Sequence, residues 1–247
     1  MFSFLYAIPM LYVTAFISLV FISLGFGLTT KNARYLLSGY NTMSEEQRAK
    51  VDIQALVPYF KRFHIFLGIS LFVGTSLLWL VDWNLASLFM TTYPLFAYGY
   101  FLWRAAKFYQ DRTHVKRNYF VTGFMLLLAL VIGFFEIKGF KGNDLLIQED
   151  ALVIEGSYGM VIPRQQVKEI NMVERIPPIS IKVNGFAAGY MAKGSFKTQD
   201  GKVVKLFVNK KYPQAIYIRT DQHDVYYNAT PEQMKSLYAQ LTNWEGK

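Results

Sequence analysis

Four stretches without a formal charge decide what this chain can fold into. Met1–Thr30, Phe63–Val81, Trp83–Trp103 and Asn118–Phe135 contain no Asp, Glu, Lys or Arg. Each is close to the ~20 residues that a helix needs to cross ~30 Å of hydrocarbon. A soluble domain buries one such helix in its core, but four within one half of a chain leave too little polar surface to cover them. The sequence predicts a membrane domain over residues 1–140 with four transmembrane helices, at about 5–28, 63–81, 84–103 and 118–136. No Lys or Arg precedes the first run and no small-residue cleavage site follows it, so it is expected to stay as an anchor. Cysteine is absent from all 247 residues, which removes disulfides, thiolate metal sites and cysteine nucleophiles together.

Charge then orients the helices. The net charge of +9 is split between residues 1–137, with 11 Lys+Arg against 6 Asp+Glu, and residues 138–247, with 15 against 11. Neither half has the basic density of a nucleic-acid binder, and no nucleic-acid partner is expected. In the first half the cations gather in two connections: Lys31, Arg34, Arg48, Lys50, Lys61 and Arg62 in one, and Arg104, Lys107, Arg112, Lys116 and Arg117 in the other. The hairpin Asp82-Trp83-Asn84 has none. By the positive-inside rule both basic connections belong in the cytoplasm. With four spans, that places the N-terminus, the hairpin and the C-terminal domain outside a bacterial cell membrane. Trp79, Trp83 and Trp103 suit the interfaces. The second basic connection, with Phe108 and Tyr109 among its charges, is also suited to lodging against anionic lipid heads.

The first connection holds a polar island, Gly39–Asp52. Gly39 relieves a turn. Thr42 with Glu45, or Ser44 with Gln47, has the spacing of a capping box, and Glu46 and Lys50 lie one helical turn apart. Pro58 is expected to limit the helix that follows. Gly39, Tyr40, Asn41, Thr42, Ser44 and Glu45 form a candidate cytoplasmic motif, read first as a structural connector.

After the short stretch KGFKGND the pattern changes period. LLIQED, ALVIEG, GMVIP, QVKEINMVE, GYMAKGSFKT, KVVKLFV, AIYIRT and DVYYNA are separated by turn signals, and period-2 alternation predicts about seven antiparallel strands. Val204, Leu206 and Val208 should oppose Lys205 and Phe207, and Ile216 and Ile218 should oppose Tyr217 and Arg219. Thr230, Pro231 and Gln233 then open a helix whose apolar face is Met234, Leu237, Tyr238 and Leu241. The fold class is a membrane protein of α + β type: four transmembrane helices, then a small antiparallel barrel with a C-terminal helix.

Two resemblances sharpen this. GSYGMVIP, VKEINMVERIPP, the long NGFAAGYMAKGSFKTQDGKVVKLFV, AIYIRT and TPEQMKSLYAQL resemble bacterial pleckstrin-homology-like domains, which implies such a barrel over residues 141–247. NARYLLSGYNTMSEEQRAKVD resembles a family of small bacterial membrane proteins, domain of unknown function 3784. More loosely, the span followed by Gly39-Tyr40 and Thr42 is similar to toxin-immunity membrane proteins, with Asn41 where those usually carry Arg. Neither resemblance implies a catalytic residue. Eukaryotic pleckstrin-homology domains often hold phosphoinositides on basic residues of the first strand pair, but LVIEGSYGMVIPR offers only Arg164 beside Glu155.

Other chemistry is thin. His64, His114 and His223 share no metal-ligand spacing, GFGLTT and NGFAAGY match no phosphate loop, and no cofactor is expected. Asn228-Ala229-Thr230 has the glycosylation spacing but reads as a strand end leading into a cap. Asp82 reads as a hairpin residue, and Glu136 is expected to face water or Lys138. The expectation is therefore a non-enzymatic membrane protein whose C-terminal domain binds a protein partner or a second copy near the membrane lipids. Its candidate contacts are Phe186, Tyr190, Lys193, Lys197, Lys205, Lys210, Lys211 and Arg219. The alternative is an immunity or envelope-stress protein whose membrane half engages a toxic peptide or lipid.

Overall fold

The computed structural model describes residues 2–37 and 39–245, with side chains from Met10 onward. The contacts divide into two units, one over Ile8–Phe135 and one built on Glu136–Lys247.

The first unit is helical. Long helices α1 (Phe2–Gly27), α4 (Ile53–Val81), α5 (Trp83–Ala105) and α6 (Arg112–Phe140) are joined by short α2 (Ala33–Leu36) and α3 (Glu45–Ala49). Met10–Gly27, Ile53–Val81 and Arg112–Phe140 are long and apolar enough to cross a membrane. At 29 residues, α4 and α6 are each about 44 Å long, more than hydrocarbon alone requires. Both start well before the charge-free runs. Pro58 does not end the island's helix; it lies inside α4. The island's own helix stops at Ala49, before a new cap at Asp52 starts α4. α5 falls short of the other three in hydropathy because Thr91, Thr92, Tyr93 and Pro94 sit at its centre.

The seams between these helices run in opposite senses. Along α1 and α4, Gly25 meets Lys61 and Gly68 meets Ser18. Along α4 and α5, His64 meets Tyr98, Ser70 meets Tyr93 and Gly74 meets Phe89. Along α5 and α6, Gly99 meets Thr122 and Leu126, and Thr92 meets Gly133. Consecutive long helices are therefore antiparallel. Gly68 sets the closest approach: a Cβ there would lie 2.6 Å from the Ser18 carbonyl oxygen. Small residues at such seams let apolar helices gain dispersion contacts that lipid alone does not supply. One residue, Asp82, joins α4 to α5. Its carboxylate accepts from Asn84 and Leu85 N–H at 2.8 and 3.0 Å, the hairpin role the sequence assigns it.

The second unit contains nine strands: β1 (Leu145–Ile147), β2 (Ala151–Ile154), β3 (Met160–Pro163), β4 (Val167–Val173), β5 (Ile179–Ala188), β6 (Met191–Thr198), β7 (Val203–Asn209), β8 (Ala215–Thr220) and β9 (Asp224–Tyr227). Helix α7 (Pro231–Glu245) follows. β1-β2-β3 form one sheet and β4-β8-β9-β7-β6-β5 the other. All neighbours are antiparallel except β7 and β9, which are parallel because β9 inserts between β7 and β8. The sequence reading of seven antiparallel strands therefore falls short by two strands and one direction.

The expected alternation holds. Ile216 and Ile218 face a core shared with Leu152, Ile162, Phe207 and, from α7, Met234, Leu241 and Trp244. Val204, Leu206 and Val208 face the other way, onto Ala192 and Phe196. β7 is thus buried on both faces, as a central strand should be. Thr230 and Gln233 exchange the reciprocal bonds of a capping box, at 3.4 and 3.2 Å, and start α7 where expected.

Candidate binding surfaces

The polar island folds as a cap. Gly39 takes a φ of +82°, a region that other residues enter at a cost. Of the two possible boxes, Ser44 with Gln47 is the one that forms: Ser44 accepts from Gln47 N–H at 3.2 Å and Gln47 accepts from Ser44 N–H at 3.1 Å. Thr42 instead donates to the Gly39 carbonyl at 3.3 Å. Arg48 donates to the carbonyls of Tyr40 and Asn41 at 3.3 and 3.5 Å. Glu45 pairs with Arg34 at 3.5 Å. Glu46 pairs with Lys50 at 2.7 Å, and this hydrogen bond and charge hold the Glu46 carboxyl below its usual range. At the island's end Asp52 caps α4 by accepting from Ala55 N–H at 3.0 Å.

The two basic connections meet here. Asp52 N–H donates to Phe108 O at 2.9 Å and Gln110 N–H to Lys50 O at 3.0 Å, which bridges Val51 to Tyr109. Met43, Val51, Leu56, Phe101 and Ala105 form the core beneath, with Tyr40, Phe108 and Tyr109 packed against it. Phe108 and Tyr109 are therefore half-buried core residues, contrary to the expectation that they lodge among lipid heads. Sequence reasoning weighed His114 only as a metal ligand and passed over its pairing with Asp111. His114 is buried, bonds Asp111 at 2.7 Å and stacks on Tyr109 with ring centroids 6.0 Å apart. The Thr113 N–H and then His114 hold the Asp111 carboxyl below its usual value. Asp-x-x-His at the head of an apolar run was the available signal. Of the motif residues, Asn41, Thr42, Ser44 and Glu45 remain exposed.

His64 is enclosed. Its Nδ1 lies 2.8 Å from the Phe60 carbonyl and must donate to it, so Nε2 accepts from the Tyr98 hydroxyl at 2.9 Å. Phe60, Phe63 and Phe101 surround the ring.

In the second unit the eight candidate contacts separate. Lys197, Lys211 and Arg219 are exposed, although Arg219 pairs with Glu169 at 2.9 Å. Lys205 is half-buried and donates to Ser195 at 2.8 Å. Lys211 and Tyr190 form a cation–π pair at 6.0 Å. Lys210 is half-buried, and loss of hydration brings its ammonium down to about 8. Two candidates are not on the surface in the way expected. Lys193 is 1% exposed because its strand partners are Phe186 and Phe207, both turned inward. Its ammonium donates to the Lys141 carbonyl, and desolvation lowers its pKa. Phe186 packs edge-on against Phe140 at 5.9 Å, with Gly139 beneath its ring.

These contacts also revise the link between α6 and β1. Lys138–Phe140 belong to α6, so only Lys141–Asp144 of KGFKGND lie outside a helix. The connection is fastened by Lys193, by Tyr227 donating to Asn143 O at 3.0 Å, and by Asn143 donating to Glu155 O and Ser157 O at 2.5 and 3.1 Å. Glu136 is buried rather than turned to water. Arg164, the one cation of the first strand pair, donates to the Trp244 carbonyl and covers its ring at 4.8 Å. It is thus committed to holding α7. Asn228 is buried too. Its amide donates to Asn209 O, Tyr212 O and Gln214 O and accepts from Asn209 N–H, which leaves nothing free for a glycan. Among the described residues no three His, Cys, Asp or Glu side chains are grouped to hold a metal.

Comparison with known proteins agrees with this division. Neither the curated proteins nor the solved structures gave a match to the chain. Two family models did, one on each side of residue 140. Residues 15–109 match the model of the family described as Domain of unknown function (DUF3784), and residues 143–244 match that described as Bacterial PH domain.

Proposed function

We propose that this is a non-enzymatic, four-span protein of the bacterial cell membrane whose PH domain binds a protein partner or a second copy of itself through the edge strand β5. One observation carries the reading. β5 is the longest strand, with 10 residues, and it ends the six-stranded sheet. Along it Ile181 and Val183 are 60% and 58% exposed. An open edge of this kind takes up an extended segment through main-chain hydrogen bonds, with side chains giving selectivity. Register shifts near Ser180 and Val183 interrupt the edge, so it is a poor template for indiscriminate pairing and suits one matched sequence.

Four spans are supported by the antiparallel seams. If α4 crosses the bilayer, α5 returns through it, because a single residue joins them and they pack side by side. The charge asymmetry supports a cytoplasmic island and an extracytoplasmic PH domain.

The test is site-directed photo-crosslinking in membranes of the native host. A photoreactive residue at Val183 should give a discrete protein adduct, and one at exposed Gln222 should not. Equal labelling at both sites, or none at either, would remove β5 as the contact. Adducts confined to residues 8–135 would transfer the activity to the membrane half, as the immunity reading requires.

A further inference from the structure

The β5 edge carries charge as well as exposed apolar side chains. From Ile176 to Lys205 the chain has five lysines and a single acid, Asp200. Two of the lysines stand close to where an added strand would lie. Ile181 of β5 is paired with Lys197 of β6, and Lys182 with Phe196. Neighbouring residues of a strand point to opposite faces. Lys182 therefore flanks the edge on the face of the buried Phe196, while Lys197 stands behind Ile181 on the other face. Both lysines are exposed, and among the described residues neither has an ion pair. The one acid of the segment is engaged elsewhere: Asp200 accepts from the Thr198 hydroxyl and feels the charge of Lys202.

Beyond Lys197 the row continues to Val203 of β7, which is 47% exposed. One face of the edge thus presents an apolar, a cationic and again an apolar side chain, and the other face presents Lys182. A strand added to β5 sends its residues alternately to these two faces. Opposite Ile181 an apolar side chain extends the row. One position along, a carboxylate meets the unpaired ammonium of Lys182, and cross-strand pairs of opposite charge stabilise a sheet. The same rule tells against a second copy of the chain. An antiparallel pair of β5 strands centred on Lys182 faces lysine with lysine, and like charges directly opposite destabilise the pairing.

We propose that the occupant of the β5 edge is an acidic extended segment of another protein, in which apolar side chains alternate with carboxylates. The apolar ones extend the Ile181 row and the carboxylates meet Lys182, with Lys197 adding its attraction from one strand further in. This occupant presupposes β5 as the contact, so two measurements are paired. Fluorescent octapeptides of alternating Val and Glu, Val and Gln, or Val and Lys are titrated onto the full chain in uncharged micelles. The Glu peptide should bind about tenfold tighter than the Gln peptide, the Lys peptide should bind weakest, and high salt should narrow the gaps. Lys182→Glu with Lys197→Glu should reverse the order, Lys182→Gln with Lys197→Gln should level it, and Lys116→Glu, in the other unit, should leave it alone. In membranes of the host, the photo-adduct at Val183 should fall about tenfold in the charge-reversed protein, at unchanged exchange protection of β6 and β7. Peptide affinities that ignore charge, with an adduct that persists in the charge-reversed protein, would overturn the acidic occupant and leave β5 as the contact. Absence of the adduct from wild type would remove both. An adduct that joins two differently tagged copies would give the edge to a second copy and overturn the inference.

Discussion

Replacing Asn228 tests whether the strand-built second unit is locked by one side chain. The amide of Asn228 donates to the carbonyls of Asn209, Tyr212 and Gln214 at 3.1, 3.1 and 3.2 Å, and its oxygen accepts from Asn209 N–H at 2.6 Å. It thereby ties the end of β7, the β7–β8 connection and the end of β9 together. Asn228→Ala leaves the Asn209 N–H without its partner, while the Asn209 carbonyl still accepts from Tyr212 N–H at 3.0 Å. At about 1–3 kcal/mol for a buried group left unsatisfied, the cost is a substantial part of a typical domain stability of ~5–15 kcal/mol. Asn228→Asp keeps the shape but turns the donor into an acceptor that faces three carbonyl oxygens. At neutral pH it should therefore destabilise more than Ala, and acid should narrow the gap as the carboxyl gains a proton. Hydrogen–deuterium exchange of the full chain in micelles reads the local opening free energy of β7–β9 directly. The order Asn, then Ala, then Asp at neutral pH is expected. An Ala variant within ~0.5 kcal/mol of wild type, or an Asp variant no worse than Ala, would falsify the account.

Other outcomes follow from the same contacts. Ser44→Ala should cost about 1 kcal/mol of local stability in the island and Thr42→Ala much less, since only Ser44 caps α3; exchange rates of Gln47 and Arg48 amides check this. Burial alone depresses the Lys210 ammonium to about 8 from its ordinary 10.5. The unfolded chain therefore binds the proton more readily, and the penalty is complete below about 8. Stability should rise as pH climbs from about 8 to 10.5, and Lys210→Met should flatten that part of the rise in denaturant titrations. In intact cells an impermeant thiol reagent should reach a cysteine at Asp200 and not one at Ser44; the reverse pattern would overturn the proposed topology.

How far the sequence could be read depended on whether neighbours or periodicity set each feature. Charge-free runs are a property of the chain alone, so the long helices were visible, but their ends were not. Asp52 as a cap moved the start of α4 ten residues ahead of its apolar run, and Lys138–Phe140 read as a linker because Gly and Lys weaken a helical pattern. Apolar segments for eight of the nine strands were visible, although they were read as about seven strands. β5 was missed although Ile179, Ile181 and Val183 alternate with Ser180 and Lys182; Pro177 and Pro178 before it and Gly185 within it looked like a loop. Lys193 was expected on the surface because lysine usually is. Only the register, which sets it between Phe186 and Phe207, shows that it is buried. The parallel pairing of β7 with β9 left no local trace, since side-chain alternation is the same in either direction.

The order β4-β8-β9-β7-β6-β5 makes four residues, Asp224–Tyr227, the sole hinge pin of the larger sheet. Without β9 the strands fall into two separate ribbons, β4 with β8 and β5 with β6 and β7. During synthesis both ribbons emerge before the strand that unites them, each with an unpaired side. The sheet cannot close by simple growth from one end. It must wait for the last strand in the chain, β9. A chain that ends before Asp224 would thus present two raw edges, one on β7 and one on β8. That interval is when this protein is most exposed to mispairing and to whatever chaperone guards the nascent domain.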